Sequence, residues 1–247
     1  MAMESVKAAF VSEYPFSYRD AGGNLTGFDM DLLQEVASRI GAEPVWTEIR
    51  WQDILGALEK ERFDIIVTGL AWHADRMERG LPSEPLYCVR SMGFVPRGNP
   101  ADIHSVEDMA RLDRPAGSII GSLELKVMCR VLGAQAQGYA EEAELWADLA
   151  AGEIGAVCFA ETAGLCHIAA HPEHGLEAVD GFYFPILPET GWFFSKGGHA
   201  LKARVDPAIR ALKNEGLLAA ILARHGYPAE LALPPGATAQ TDLEPGF

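Results

Sequence analysis

Strand-like and helix-like segments alternate through residues 6–69, and this order restricts the possible fold more than any other feature. Strands are predicted over 6–11, 43–49 and 63–69, and helices, whose apolar residues recur at helical spacing, over 27–41 and 51–61. Parallel strands need a crossover connection, which each helix supplies with right-handed geometry. The chain is therefore expected to begin with a parallel α/β sheet.

A second series of short strands and helices follows, after an extended segment over residues 86–95. The later elements are predicted as strands over 116–120, 136–139, 154–159 and 191–195, and helices over 106–112, 123–132, 141–150, 199–214 and 217–225. The helix over 199–214 is expected to be interrupted at Asp206-Pro207, and residues 234–247 to form a loose tail. This order indicates two lobes joined by two crossing segments, and clefts between such lobes are common ligand sites.

Composition excludes several classes of protein. The net charge is -15 over 247 residues, without a cluster of basic residues, which excludes a nucleic-acid-binding protein. No apolar stretch approaches the roughly 18 residues of a membrane span. The four cysteines have no regular spacing and apolar neighbours, which indicates buried thiols.

An arginine follows the most apolar strand. The run 63–69 is typical of a buried parallel strand, and Arg76 lies seven residues after its terminal glycine. Ligands of open α/β sheets bind beyond the carboxyl ends of such strands, and arginine matches a carboxylate in two places. The alternative is a solvated arginine paired with Asp75 or Glu78, and local sequence does not separate the two.

Patterns that could carry other chemistry are explained more simply. His167 and His171 lie four residues apart, but Pro172 ends the helix that would hold them, and no metal site is predicted. Asp29 and Asp31 lie in the first turn of a helix, where capping and the helix dipole explain them without acid–base catalysis. No catalytic group and no cofactor is predicted.

Four motifs, in this order, carry a resemblance to the bacterial extracellular solute-binding proteins of family 3, the polar amino-acid type that serves ABC transporters. They are residues 14–18 (Tyr-Pro-Phe-Ser-Tyr), residues 25–32 with Gly-Phe-Asp-Met-Asp-Leu, the strand 63–69 with Arg76, and residues 117–122. The resemblance covers the chain from about Val6 to Tyr227.

The resemblance implies a two-lobe α/β fold of the periplasmic binding protein type II (Venus flytrap), with a mostly parallel sheet flanked by helices in each lobe. Lobe 1 would comprise residues 1–88 and 192–247, and lobe 2 residues 89–191, with hinge strands near 88–92 and 187–191. The implied protein is a periplasmic monomer that delivers its ligand to an ABC transporter permease, although the residues from Met1 lack signal-peptide features.

The resemblance also implies the ligand contacts of lobe 1. Arg76 would grip the ligand carboxylate, with the backbone around Thr68 and Gly69 nearby, and Ala71 occupies the position of a family hydroxyl. Around the ligand side chain, the implied walls are Tyr14, or Glu13 under a one-residue shift, and Trp51, for which a place in the core is an equal alternative.

In lobe 2 the resemblance implies that Gly121 and Ser122 give backbone and hydroxyl donors to the same carboxylate, at a helix N-terminus that favours an anion. An ordinary N-cap serine is the alternative for Ser122, and both roles are compatible. Ala160 stands where family members place an aspartate for the ligand ammonium. Either Glu161 replaces that aspartate, or the ligand has no α-ammonium.

The expected function is therefore binding of a small carboxylate-bearing metabolite, an amino acid or a derivative, in the cleft between the lobes, without catalysis. Two alternatives stay open. One is a periplasmic dehydratase of the cyclohexadienyl type on the same fold, with Glu161 as the proton-transfer residue. The other is a ligand-sensing domain.

Overall fold

The computed structural model describes residues 4–72 and 74–237. The final residues of the predicted tail, 238–247, lie outside this range. The strands are β1 (Glu4–Phe10), β2 (Tyr18–Arg19), β3 (Leu25–Thr26), β4 (Ala42–Glu48), β5 (Ile65–Ala71), β6 (Leu81–Pro82), β7 (Tyr87–Cys88), β8 (Ser91–Pro96), β9 (Ala116–Ile119), β10 (Ala136–Tyr139), β11 (Ala156–Ala160), β12 (Leu176–Tyr183) and β13 (Glu189–Phe194).

Helices alternate with these strands along most of the chain. They are α1 (Phe28–Ile40), α2 (Ile54–Glu59), α3 (Ala74–Met77), α4 (Leu123–Leu132), α5 (Glu142–Ala151), α6 (Glu161–Ala170), α7 (His199–Asn214) and α8 (Leu217–Arg224). None of the helices in the described ranges is long and apolar enough to cross a membrane.

The chain divides into two compact units, Met1–Val89 with Pro188–Phe247, and Arg90–Leu187. The whole of β13 belongs to the first unit because it pairs with β5, β6 and β7. The sequence placed the start of this returning segment a few residues later, at 192. The assignment of hinge strands stays a prediction.

The first unit contains a sheet in the order β4-β1-β5-β13-β6, with β7 also paired to β13. The predicted parallel arrangement is confirmed for β4, β1 and β5, whereas β13 runs antiparallel to β5. The direction of β13 is therefore opposite to that of the three parallel strands, and it does not extend the parallel series.

Helix α1 begins where the sequence predicts because of close backbone packing at Gly27. The φ of Gly27 is 130°, and a Cβ atom on this residue would lie 2.3 Å from the Phe16 carbonyl oxygen. The helix ends at Gly41, which has the left-handed conformation that glycine favours. Phe28 is fully buried, with its ring centroid 4.9 Å from those of Phe16 and Tyr227.

The second unit repeats the same pattern, with the sheet order β10-β9-β11-β8-β12. Strands β10, β9 and β11 are parallel, and β8 and β12 are antiparallel additions. Trp146 of α5 is 1% exposed and packs edge-on against Phe94 and Phe159, with both ring centroids at 5.3 Å. Each sheet is therefore mixed, with parallel pairing confined to three strands.

Three predicted elements differ from the structure. The helix expected over 51–61 is a 3-10 turn (Trp51–Asp53) followed by the short α2, and that expected over 106–112 is only a 3-10 turn (Asp108–Arg111). Helix α7 continues through Pro207, because buried residues on both sides of it, Val205 and Ile209, hold the helix on the core.

Candidate functional site

Arg76 lies just beyond the carboxyl end of β5. Pairing of β5 with β1 ends at Ile66, so the last residues of β5 extend beyond β1 before α3 begins. The Arg76 side chain turns back toward this strand end, and its Nη1 donates a hydrogen bond to the Ala71 carbonyl oxygen at 3.1 Å. The guanidinium carbon is 5.8 Å from the centroid of the Trp51 ring.

Burial distinguishes this arginine from an ordinary surface residue. Arg76 is 9% exposed, so it is not the solvated side chain of the alternative interpretation, whereas pairing with Asp75 or Glu78 stays an alternative. A long cationic side chain is seldom buried to this extent without a structural or binding role. The structure thus brings three predicted site residues, Arg76, Ala71 and Trp51, into one cluster within the first unit.

Thr68 and Gly69 lie on β5, close to this cluster in sequence. Thr68 is 1% exposed, and its Oγ1 has no hydrogen-bond partner among the described residues. At Gly69 a Cβ would lie 3.0 Å from the Phe16 ring and 3.2 Å from the Tyr87 hydroxyl. Gly69 therefore lets the rings of Phe16 and Tyr87 approach the strand closely. This packing explains the glycine independently of a contact between its backbone and a ligand.

The loop after β1 holds the two alternatives at the wall position. Residues Glu13 and Ser17 pair through reciprocal backbone hydrogen bonds of 2.6 and 2.9 Å. Glu13 is 8% exposed, whereas Tyr14 is 40% exposed with its ring 4.8 Å from that of Tyr18. The loop is thus a fixed element that carries one buried carboxylate and one accessible aromatic ring.

Asp29 has a role that its sequence position does not predict. It is fully buried and accepts hydrogen bonds from the Tyr87 hydroxyl at 2.8 Å and from Trp192 Nε1 at 3.0 Å. Among the residues that the structure describes, no side-chain hydrogen bond caps the start of α1, so the predicted capping role is wrong. Burial raises the pKa of Asp29 to about 7, although both hydrogen bonds act to lower it.

Asp31, the second acidic residue of that helix turn, faces outward. One carboxylate oxygen lies 2.8 Å from His225 Nε2 and 3.5 Å from Arg224 Nη1, which joins α1 to the end of α8. Since Asp29 and Asp31 have separate partners, they do not form an acid–base pair. The only sequence signal for the buried role of Asp29 was its position directly after Phe28.

In the second unit, Ser122 caps α4 as one alternative predicted. Its Oγ accepts a hydrogen bond from the Leu125 backbone N–H at 3.1 Å and lies 3.2 Å from the Ser118 hydroxyl. Gly121 precedes it with φ of 88°, a conformation that favours glycine. The helix N-terminus is thus well ordered, and ligand contact by these two residues stays a prediction.

Glu161 is the first residue of α6 and follows Ala160 at the end of β11. It is 8% exposed, and its carboxylate accepts a hydrogen bond from Arg90 Nε at 2.5 Å. Its backbone N–H also donates to the Arg90 carbonyl oxygen at 2.8 Å, and the Arg90 guanidinium lies over the Tyr183 ring at 5.0 Å. The carboxylate therefore already has a cationic partner within its own unit.

The opposite end of α6 carries a group of possible metal ligands. Donor atoms of His171, Glu173 and His174 all lie within 4.8 Å of one another. His167, one helical turn before His171, joins them through its Nε2, which is 3.2 Å from His174 Nδ1. Helix α6 therefore holds Glu161 at its start and a histidine cluster at its end.

The architecture is that of the two-domain α/β binding proteins. A solved structure of EhuB in complex with hydroxyectoine aligns with 92% of this chain and 90% of its own, with a TM-score of 0.82 and 23% sequence identity. Residues 6–227 match the bacterial extracellular solute-binding proteins, family 3, and the chain belongs to that family. The resemblance predicted from the motifs is confirmed.

Curated relatives have similar names. A probable amino-acid ABC transporter periplasmic-binding protein of Sinorhizobium fredii is 26% identical over 96% of this chain and 84% of its own length. The L-cystine-binding protein of Escherichia coli K12 is 26% identical over 84% of this chain and 76% of its own. A cyclohexadienyl dehydratase of Pseudomonas aeruginosa is 32% identical, but over only 32% of this chain and 30% of its own length.

Proposed function

We propose that this protein binds a small carboxylate-bearing metabolite, an amino acid or a derivative, and delivers it in the periplasm to an ABC transporter permease. Family membership supports the class of function. The observation that carries the choice of ligand is the buried Arg76, which lies against Trp51 beyond the carboxyl end of β5.

A fixed guanidinium suits recognition of a carboxylate. Arginine presents planar donors that match both carboxylate oxygens, and the bond is strongest when the fork is already oriented. The hydrogen bond to Ala71 and the contact with the Trp51 ring hold this side chain on two sides. Binding therefore loses less side-chain entropy than it would with a mobile surface arginine.

The second unit is proposed to contribute Gly121 and Ser122 at the start of α4. This helix has 10 residues, long enough for its peptide dipoles to add up. The positive end of the helix dipole and the first backbone N–H groups therefore favour an anion at its N-terminus. Glu13, Tyr14, Thr68, Gly69 and Glu161 stay proposed ligand contacts on the strength of the family resemblance.

The environment of Glu161 affects which acids fit. An α-ammonium group that used this carboxylate would compete with Arg90, its partner at 2.5 Å. Ala160 offers no charge in place of the acidic residue of amino-acid binders. We therefore include carboxylates without an α-ammonium group, and amino-acid derivatives with a blocked nitrogen, beside the free amino acids.

A thermal-shift screen of amino acids, their derivatives and simple carboxylates identifies the ligand, because a compound that binds only the native state raises the melting temperature. Calorimetry then compares Arg76→Lys and Arg76→Ala with Arg79→Ala. Arg79 lies in the same segment but pairs with Glu59 at 2.7 Å on the surface, so it is a matched control.

We expect Arg76→Ala to lose about 2–4 kcal/mol of binding free energy, because the ligand carboxylate loses its charged partner. Arg76→Lys keeps the charge but loses the fork and should recover only part of the affinity. Arg79→Ala should bind as the wild type does. Equal affinities of Arg76→Ala and wild type would show that Arg76 is not the anchor.

The dehydratase alternative is tested by incubating the protein with prephenate and measuring phenylpyruvate. We expect no product, because the one acidic residue proposed for proton transfer, Glu161, is held by Arg90. Turnover that disappears in Glu161→Gln would favour the enzyme. The expected monomer and the periplasmic location are checked by light scattering of the purified chain and by fractionation of expressing cells.

A further inference from the structure

A turn after α6 brings three histidines together in the second unit. The helix ends at Ala170, and the His171 backbone N–H still donates to the His167 carbonyl oxygen at 2.9 Å. Pro172 then begins a 3-10 turn that closes at Gly175, whose φ is 63°. This turn places His174 back over His167, so Pro172 assembles the cluster that it seemed to exclude in the sequence.

Donor atoms of His171, Glu173 and His174 lie within 4.8 Å of one another, and His167 adjoins this group beside His174. His167 Nε2 lies 3.2 Å from His174 Nδ1, and His171 Nδ1 lies 3.1 Å from Glu173 Oε1. Zinc–nitrogen distances of about 2.0–2.1 Å place neighbouring ligands of a tetrahedral ion about 3.3 Å apart. Each of the two short distances has the length of one edge of a coordination tetrahedron, and the exposed side chains of His171 and Glu173 would have to shift to close the other edges.

The support beneath the cluster is rigid and the outer side is open. The indole of Trp146, 1% exposed, stacks on the His167 ring with centroids 4.5 Å apart and an angle of 13° between the planes. Gly164 packs so closely that a Cβ there would lie 2.1 Å from the Phe94 ring. His171 and Glu173 are exposed, so an ion can enter and these two side chains can adjust.

We propose that His167, His171 and His174, with Glu173 as the fourth donor, form a binding site for a divalent first-row transition metal such as Zn²⁺. Three imidazoles and one carboxylate suit this class of ion, whereas Mg²⁺ and Ca²⁺ prefer sites made of oxygen ligands. The bound ion would join the end of α6 to the start of β12. We assign the ion a structural role, because its ligands lie at the opposite end of α6 from Glu161 and do not include Gly121 or Ser122.

Calorimetry with Zn²⁺ and visible spectroscopy with Co²⁺ test the site on untagged protein that has been treated with a chelator. The variants are His171→Ala and the pair His171→Ala/His174→Ala, with His104→Ala as the control. His104 is an exposed histidine of the same unit that lies 2.9 Å from Asp102. Circular dichroism of each metal-free variant confirms that it is folded.

We expect one Zn²⁺ per chain, with an affinity that falls at least about 100-fold in the double variant, because loss of outer-shell groups alone costs 10–100-fold. His171→Ala should lose at least about 10-fold, and His104→Ala should match the wild type. Mg²⁺ should give no signal. Absence of one-to-one binding, or equal binding by wild type and double variant, would overturn the proposal, and the second result would place the ion at other groups such as the thiols.

Discussion

Replacing Asp29 by asparagine tests how the buried carboxyl group responds to pH. Asp29, Tyr87 and Trp192 are fully buried, and Asp29 is the acceptor in its hydrogen bonds with the Tyr87 hydroxyl and the Trp192 indole N–H. A protonated Asp29 carboxyl has one carbonyl oxygen that accepts a hydrogen bond and one O–H that donates, and asparagine likewise has one accepting oxygen and a donating amide. At pH 4.5, below the folded-state pKa of Asp29, we therefore expect Asp29→Asn to change the unfolding free energy by less than about 1 kcal/mol.

The variant should become the more stable protein as the pH rises. The pKa of Asp29 is raised from 3.8 in the unfolded chain to about 7 in the folded protein. The protonated carboxyl therefore contributes to the free energy of unfolding below pH 3.8, and this contribution is lost as the pH rises through about 7. Between pH 4.5 and 7.5 the linkage relation gives a loss of about 3 kcal/mol for the wild type. The variant has no charge change at this position, so its unfolding free energy should exceed that of the wild type by about 3 kcal/mol at pH 7.5.

Urea unfolding at both pH values, followed by tryptophan fluorescence and circular dichroism at constant ionic strength, measures the difference. Asp53→Asn serves as the control, because Asp53 is an exposed residue paired with Arg50 at 3.0 Å and should change stability by less than about 1 kcal/mol at either pH. A wild-type-minus-Asp29→Asn difference that stays constant would show that Asp29 remains ionised throughout. In that case the hydrogen bonds from Tyr87 and Trp192 outweigh the effect of burial on the Asp29 pKa, and the predicted pH dependence is wrong.

Three stability predictions follow from backbone packing and capping. Gly27→Ala should destabilise the chain by about 2–4 kcal/mol, because the new Cβ would lie 2.3 Å from the Phe16 carbonyl oxygen. Gly56→Ala should be neutral or stabilise the chain by about 0.5–1 kcal/mol, because Gly56 lies inside α2 and a Cβ there would have no neighbouring atom within 4 Å. Equal urea midpoints for these two variants would contradict the packing argument. Ser122→Ala should cost about 1 kcal/mol through loss of the α4 cap, and Ser122→Asn should restore most of it. If calorimetric melting does not distinguish the two serine variants, the cap does not stabilise the helix.

Local sequence was sufficient for most regular elements. The helices α1 and α4 and the strand β10 lie where apolar spacing and flanking glycines predict them, because these signals depend only on neighbouring residues. The strand β12 was not predicted. Its pairing with β8 depends on a partner about 80 residues away in the chain, so local pattern alone does not define it.

In the candidate site, too, some features follow from local sequence and others depend on long-range contacts. The sequence by itself determined the family, the order of most elements and the choice of Arg76, since the strand and its spacing to the arginine are written in consecutive residues. Only the tertiary structure decided that Arg76 is buried beside Trp51, that Glu161 is paired with Arg90, and that Asp29 joins Tyr87 to Trp192. These contacts connect residues far apart in the chain, and the charge and exposure of a side chain depend on such neighbours.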